Sequence, residues 1–250
     1  MTPVQQRLPS LRTVPLAFGH RGASAHAPEN TLPAFGLALK LGVNGLESDC
    51  WLTEDGVAVL DHDGVVRRKL RNIPFSSVTR GDLPGHVPAL GDLFAEHGIN
   101  FHLSLDIKDP AAAGAIGESV ASSGFDPACL WLCSPALDVL ENCARSVPGA
   151  HLVHSTRLSR LGTTLELHCA RLVASGVDTV NLHHTEWSGG QAVLCHRFGL
   201  NAFGWDLQHE DPMTNALRMG LDGVFSDHVD MMVEVYVREV GKPLLPFTIP

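Results

Sequence analysis

The chain has 250 residues, 44% of them hydrophobic, enough to bury one sizeable core and better suited to one α/β domain than to two small ones. Its 27 Asp and Glu against 18 Lys and Arg give a formal net charge of -9, a sign that repels nucleic acid and anionic membrane surfaces at long range. An anionic small molecule must therefore meet local positive charge or a metal ion.

In chain order, residues 1–14 read as an N-terminal extension whose prolines and charges replace the unbroken apolar run of a secretory leader. No segment is long and apolar enough to span a membrane, so no stable membrane insertion is expected and the expected compartment is the cytoplasm. "PLAFGH" predicts the first strand and "TLPAFGLALKLG" the first helix. "GLESDCWL" is the second strand, and "TEDG" followed by the alternating "VAVLDHD" reads as a hairpin returning from it. Residues 64–88, basic and rich in turn formers, read as an irregular loop over one end of the fold. Six further strand candidates follow, "NFHLSLDIK", "CLWLCS", "HLVHST", "TVNLHH", "AFGWDL" and "GVFSD", separated by amphipathic stretches that several times close on a glycine. "DMMVEVYVREVG" is the last helix and residues 242–250 an extended tail. Eight strands, each followed by a helix over this length, predict a single α/β domain: a (β/α)8 TIM barrel with an accessory hairpin after strand 2 and no large insertion. The six cysteines are scattered through these elements without zinc-ligand spacing and read as reduced, buried thiols.

In such a barrel the active site lies at the C-terminal strand ends, which singles out polar residues that finish apolar strands. His20 and Arg21 finish the first, Glu47 and Asp49 lie late in the second, and Asp106 and Lys108 late in the third. Strand side chains alternate, so Glu47 and Asp49 share a face with roughly 6.5 to 7 Å between α-carbons, as do Asp106 and Lys108. One strand-end carboxylate alone is more often a solvated group or an ion-pair partner. Three converging ones repel each other unless a cation sits among them, and oxygen ligands suit magnesium, calcium or manganese. Most of the 14 histidines carry no such signal. His20 and His62 do, because each ends a predicted strand beside further polar residues, where an imidazole can give or take a proton near neutral pH.

"GHRGASAHAPENT" resembles the "HRG…PENT" signature of the glycerophosphodiester phosphodiesterase family, whose barrel is of the phosphatidylinositol-phospholipase-C-like kind. "GLESDCWLTEDGVAVLDHD" is similar to that family's E-x-D, T-x-D-G and H-D elements in order and spacing, and "AFGWDL" and "GLDGVFSDHVD" to its late strands. The resemblance implies metal-dependent hydrolysis of glycerophosphodiesters to glycerol 3-phosphate and an alcohol. It implies Glu47, Asp49 and Asp106 as metal ligands, His20 and His62 as acid and base, and Arg21 and Lys108 as phosphate-binding groups; Trp205 reads either as covering the alcohol or, as is commoner for a tryptophan in a barrel strand, as core. Glu29 and Asn30 are supporting residues: Glu29 either orients Arg21 or favours the start of the helix, and Asn30 or Thr31 caps it. Asp106 stands where the family usually carries Glu, one methylene longer. The attacking oxygen is water or the neighbouring glycerol hydroxyl. The alternatives are a phospholipase D-like lyase on lysolipids that releases a cyclic phosphate, and a non-catalytic binder of phosphorylated ligands. The implied cofactor is one divalent ion and the implied partner a small-molecule diester; oligomeric state is not readable from the chain.

Overall fold

A computed structural model describes residues 7–68 and 71–241. Its elements run β1 (Leu16–Gly19), α1 (Leu32–Leu41), β2 (Gly45–Leu52), β3 (Ala58–Leu60), β4 (Val65–Arg68), β5 (Arg71–Pro74), α2 (Leu90–His97), β6 (His102–Ile107), α3 (Ala113–Ser123), β7 (Leu130–Ser134), α4 (Leu137–Ser146), β8 (His151–Thr156), α5 (Leu165–Ala174), β9 (Thr179–His183), α6 (Gly189–Arg197), β10 (Asn201–Trp205), α7 (Glu210–Arg218), β11 (Gly223–Ser226) and α8 (Val229–Val240). Strands β1, β2 and β6 through β11 pair in parallel, and the pairing of β1 with both β2 and β11 closes them into an eight-stranded barrel. The predicted (β/α)8 architecture is the observed one.

The barrel interior is filled by side chains rather than left as a pore. Leu16, Phe18, Trp131, Cys133, Val153, Phe203 and Phe225 form one buried cluster, with the rings of Phe18 and Phe225 stacked at 4.7 Å between centroids. Room for Phe18 comes from the neighbouring strand: a Cβ on Gly45 would lie 2.5 Å from its ring. This aromatic layer floors the mouth of the barrel, so residues one or two positions further along each strand stand at the rim. A larger cluster packs the helices onto the outer face of the barrel.

The accessory hairpin is present, with β3 antiparallel to β2 in the register Cys50↔Leu60 to Leu52↔Ala58. The expectation of an irregular stretch over residues 64–88 needs correction. β4 and β5 pair as a second antiparallel hairpin, and Phe75, Val78, Leu83 and Val87 bury against Val59 and Val66 in a small satellite core. The signal is faint because only Val66 of β4 is buried while its arginines are exposed, so the charges masked the alternation. Residues 7–14 of the N-terminal extension lie across the opposite end of the barrel, where Ser10 Oγ donates to Asp222 Oδ1 at 2.6 Å and Arg12 stacks 5.2 Å from the Trp131 ring. The proposed tail, 242–250, and residues 1–6 lie outside the described residues. All six cysteines are free and buried, as expected.

Candidate active site

The first strand ends in a turn that only this local sequence tolerates. Arg21 and Gly22 both take left-handed backbone, φ 52° and 82°, and a Cβ on Gly22 would come 2.6 Å from the Ala34 carbonyl carbon. Glycine is the residue for that position. The loop closes where the Asn30 N–H donates to Arg21 O at 3.0 Å, and Asn30 is itself left-handed at φ 55°, a conformation asparagine adopts more readily than most residues. Thr31 is the helix cap: its Oγ1 accepts from Ala34 N–H at 3.3 Å and donates to Pro28 O at 2.7 Å.

This turn presents His20 and Arg21 to the barrel mouth. His20 Nδ1 is 2.6 Å from Asp227 Oδ1, and Nε2 is 3.8 Å from Glu47 Oε2. Asp227 is held in turn by Ser24 Oγ on Oδ1 and Gln208 Nε2 on Oδ2, each 2.9 Å away. Burial pulls the His20 pKa down, but the Glu47 carboxylate and the Asp227 hydrogen bond outweigh it and hold the imidazole above its ordinary value. Glu47 is almost wholly buried. Burial, opposed by His20 and aided by Asp49 and Asp106, pushes its carboxyl up to about 7. Its oxygen Oε2 also accepts the Arg21 backbone N–H at 2.9 Å.

Arg21 Nη1 donates to Glu29 at 2.8 Å, which places Glu29 as the group that orients the guanidinium. Arg21 Nε lies 3.4 Å from Asp49 Oδ2 and makes no hydrogen bond. Asn30 supports the same carboxylate, accepting from Ser48 Oγ at 2.7 Å while its amide donates to Asp49 at 3.4 Å. The register Asp49↔Asp106 between β2 and β6 sets those two carboxylates side by side. Lys108 Nζ bridges them, 3.1 Å from Asp49 and 2.5 Å from Asp106. Burial nevertheless raises Asp106 despite this ammonium, while the two carboxylates hold Lys108 above its ordinary value against burial.

Around these groups opens a cavity of about 300 Å³, lined by His20, Arg21, Glu47, Asp106 and Trp205 of the expected residues and by Ser104, Cys133, Ser155, Asn181, Asp206, Gln208 and Phe225. Asp49 and Lys108 are not among its lining residues, and Glu29 and Asn30 hydrogen-bond Arg21 and Ser48 beside it. His62 is not among the lining residues: its ring is 44% exposed and hydrogen-bonds Asp63 at 2.9 Å. Its link to the site among the described residues is its neighbour, the Asp61 N–H donating to Asp49 O at 3.1 Å. Two lining atoms, Asn181 Oδ1 and Trp205 Nε1, are buried without a hydrogen-bond partner. Asp227 and Asp206 are the residues sequence reasoning missed, although each directly follows a barrel strand and the strand-end rule applies to them.

The donor chemistry of Glu47, Asp49 and Asp106 fits a hard divalent ion. Asp49 and Asp106 share one ammonium, and among the described residues His20 is the only ion-pair partner of Glu47. Their oxygens are not among the groups of donor atoms that all lie within 4.8 Å of one another, and Lys108 Nζ bridges those of Asp49 and Asp106.

Residues 20–116 match the model of the Glycerophosphoryl diester phosphodiesterase family. The chain is 24% identical over 252 residues to the glycerophosphodiester phosphodiesterase of Caldanaerobacter subterraneus, covering 90% of this chain and 99% of that one. Its fold is similar to that of glycerophosphodiester phosphodiesterase from Thermotoga maritima, with 25% identity, a TM-score of 0.76, and 88% and 97% of the two chains covered. It is also similar to a phosphodiesterase from Oleispira antarctica solved with the product sn-glycerol-3-phosphate, at 20% identity and a TM-score of 0.77 over 89% and 96% of the chains. Family model, relatives and solved folds thus all indicate one family for this chain, the glycerophosphodiester phosphodiesterases.

Proposed function

We propose that this chain hydrolyses glycerophosphodiesters to glycerol 3-phosphate and an alcohol, with His20 as the central proton-transfer group. The observation that carries the reading is the line Asp227, His20, Glu47 on the wall of a cavity that also holds Arg21. Asp227 fixes one imidazole nitrogen and leaves Nε2 toward the cavity. A proton taken there from the attacking oxygen gives an imidazolium flanked by two carboxylates.

Arg21 binds the phosphate, and its unbonded Nε offers a donor to a non-bridging oxygen once the diester displaces the long contact to Asp49. Asn181 Oδ1 and Trp205 Nε1, an acceptor and a donor, suit hydroxyl groups of the substrate, because a buried polar atom without a partner costs about 1–3 kcal/mol until one arrives. His62, on the rim beside Asp61, is the second proton-transfer group in this reading. Glu47, Asp49 and Asp106 would hold one magnesium, calcium or manganese ion, which when bound neutralises charge on the phosphate oxygens. Lys108 adds fixed positive charge behind them.

The test is a chelator-treated protein assayed on glycerophosphocholine with each of the three metals restored, quantifying glycerol 3-phosphate and choline together. Equal amounts of both, dependent on metal, are expected. Free choline without glycerol 3-phosphate would instead support the lyase reaction and its cyclic phosphate, and tight substrate binding without turnover the non-catalytic alternative.

A further inference from the structure

At the opposite side of the barrel mouth from Glu47, β9 and β10 end in register, His183 facing Trp205 across the pair. The next residue on each chain segment, His184 and Asp206, therefore emerges at the same point of the rim. One nitrogen of each imidazole and one Asp206 oxygen all lie within 4.8 Å of one another. We propose that His183, His184 and Asp206 form a second cation site, distinct from the three carboxylates, that takes a borderline divalent transition metal of the zinc class.

The donor set decides the class. Two imidazoles and a carboxylate favour zinc, cobalt or nickel over magnesium or calcium, which prefer oxygen throughout. The rings are also prepared for ligation. His183 Nε2 is 2.9 Å from Asp206 Oδ2, and its Nδ1 faces both the hydroxyl and the N–H of Thr185, at 2.7 and 3.3 Å. Thr185 can accept a proton from Nδ1 or donate one to it. The ring proton can pass from Nε2 to Nδ1, where the Thr185 hydroxyl accepts it at the cost of the longer N–H contact; this frees the Nε2 lone pair for a metal and leaves a hydrogen bond behind the ligand to orient it. Among the described residues the His184 ring has no hydrogen bond; the His183 ring lies 4.6 Å away between centroids, and Asp206, Arg157 and His209 act on it through their charge. A proton bridging His183 and Asp206 serves two of these three groups, whereas a metal ion serves all three.

The neighbourhood gives access and a consequence. His184 and Thr185 also line a separate open cleft of about 590 Å³, so the site can be reached without passing through the catalytic cavity. Asp206 lines that cavity. Occupancy would neutralise a carboxylate facing an anionic substrate. The other His, His, Asp group, His26, His228 and Asp230, has the same composition, but all three residues are exposed and none lines the cavity; it serves as an internal control.

The experiment needs no substrate, so its outcome is independent of the hydrolase reading. Cobalt is titrated into the chelator-treated full chain with excess magnesium present to fill oxygen-only sites, following the visible absorption of histidine-ligated cobalt and its displacement by zinc. One such site is expected, weakened roughly tenfold or more by His184→Ala and by Asp206→Asn and unchanged by His228→Ala. Because the His184 ring makes no hydrogen bond, His184→Ala should keep the parent melting temperature, and a matching thermal melt checks this. No cobalt spectrum in the parent chain, a spectrum unaltered by His184→Ala, or one lost with His228→Ala would overturn the assignment.

Discussion

Replacing Asp227 by Asn removes a negative charge 2.6 Å from His20 Nδ1 while nearly preserving shape. Charge-assisted hydrogen bonds contribute about 1.5–3 kcal/mol, and because the Asp227 side chain is 35% exposed the lower end applies. About 1.5 kcal/mol is roughly one order of magnitude in rate. The sign of the pH effect follows from the site. His20 is held above its ordinary pKa partly by Asp227, so Asp227→Asn lowers it. A base that must be unprotonated then becomes competent at lower pH. The assay is the pH profile of kcat/KM together with NMR titration of the His20 ring, with a thermal melt to account for the acceptor that Gln208 loses. A roughly tenfold fall in rate with the acidic limb moved toward lower pH is expected. An unchanged rate and an unmoved limb in a folded variant would refute the role given to Asp227 and weaken that of His20.

Glu47→Gln should stabilise the protein while inactivating it. A carboxyl raised from 4.5 to about 7 in the folded state binds its proton more tightly there than in the unfolded chain, so stability is lost as pH rises from about 4.5 through 7. The variant's melting temperature should therefore exceed the parent's near pH 8 and match it near pH 4; equal melts at both pH values contradict the burial argument. Lys108→Met leaves Asp49 and Asp106 without their shared ammonium, so its melting temperature should fall and be restored by magnesium more than the parent's is; a melt indifferent to magnesium would count against a cation among these carboxylates. His20→Ala and His62→Ala should each lower kcat by about 10²-fold or more, and a fully active His62→Ala would remove His62 from the mechanism and leave His20 to work with another group.

The barrel and its rim were legible because both rest on short-range rules. Alternation in "GLESDCWL" fixed the face shared by Glu47 and Asp49, and the parallel register then set Asp49 beside Asp106. What the sequence hid is tertiary. Asp227 meets His20 only because closure of the barrel pairs β1 with β11 across 207 positions, and nothing local to "FSDHVD" marks that carboxylate as a histidine partner. Glu29 reads equally well as a helix-start charge until the left-handed turn at Arg21 brings the guanidinium to it. The hairpin formed by β4 and β5 was obscured by arginines on its exposed face. His62 is the reverse case: its place in a motif is plain in the chain, yet its ring stands on the exposed rim beside Asp63 rather than in the cavity.

The most direct measurement follows the phosphorus atom. A phosphorus NMR time course of glycerophosphocholine with magnesium should show the diester resonance replaced by that of glycerol 3-phosphate in the parent chain, and persisting with His20→Ala. A diester left intact by the parent, or consumed equally fast by the variant, would contradict hydrolysis at His20.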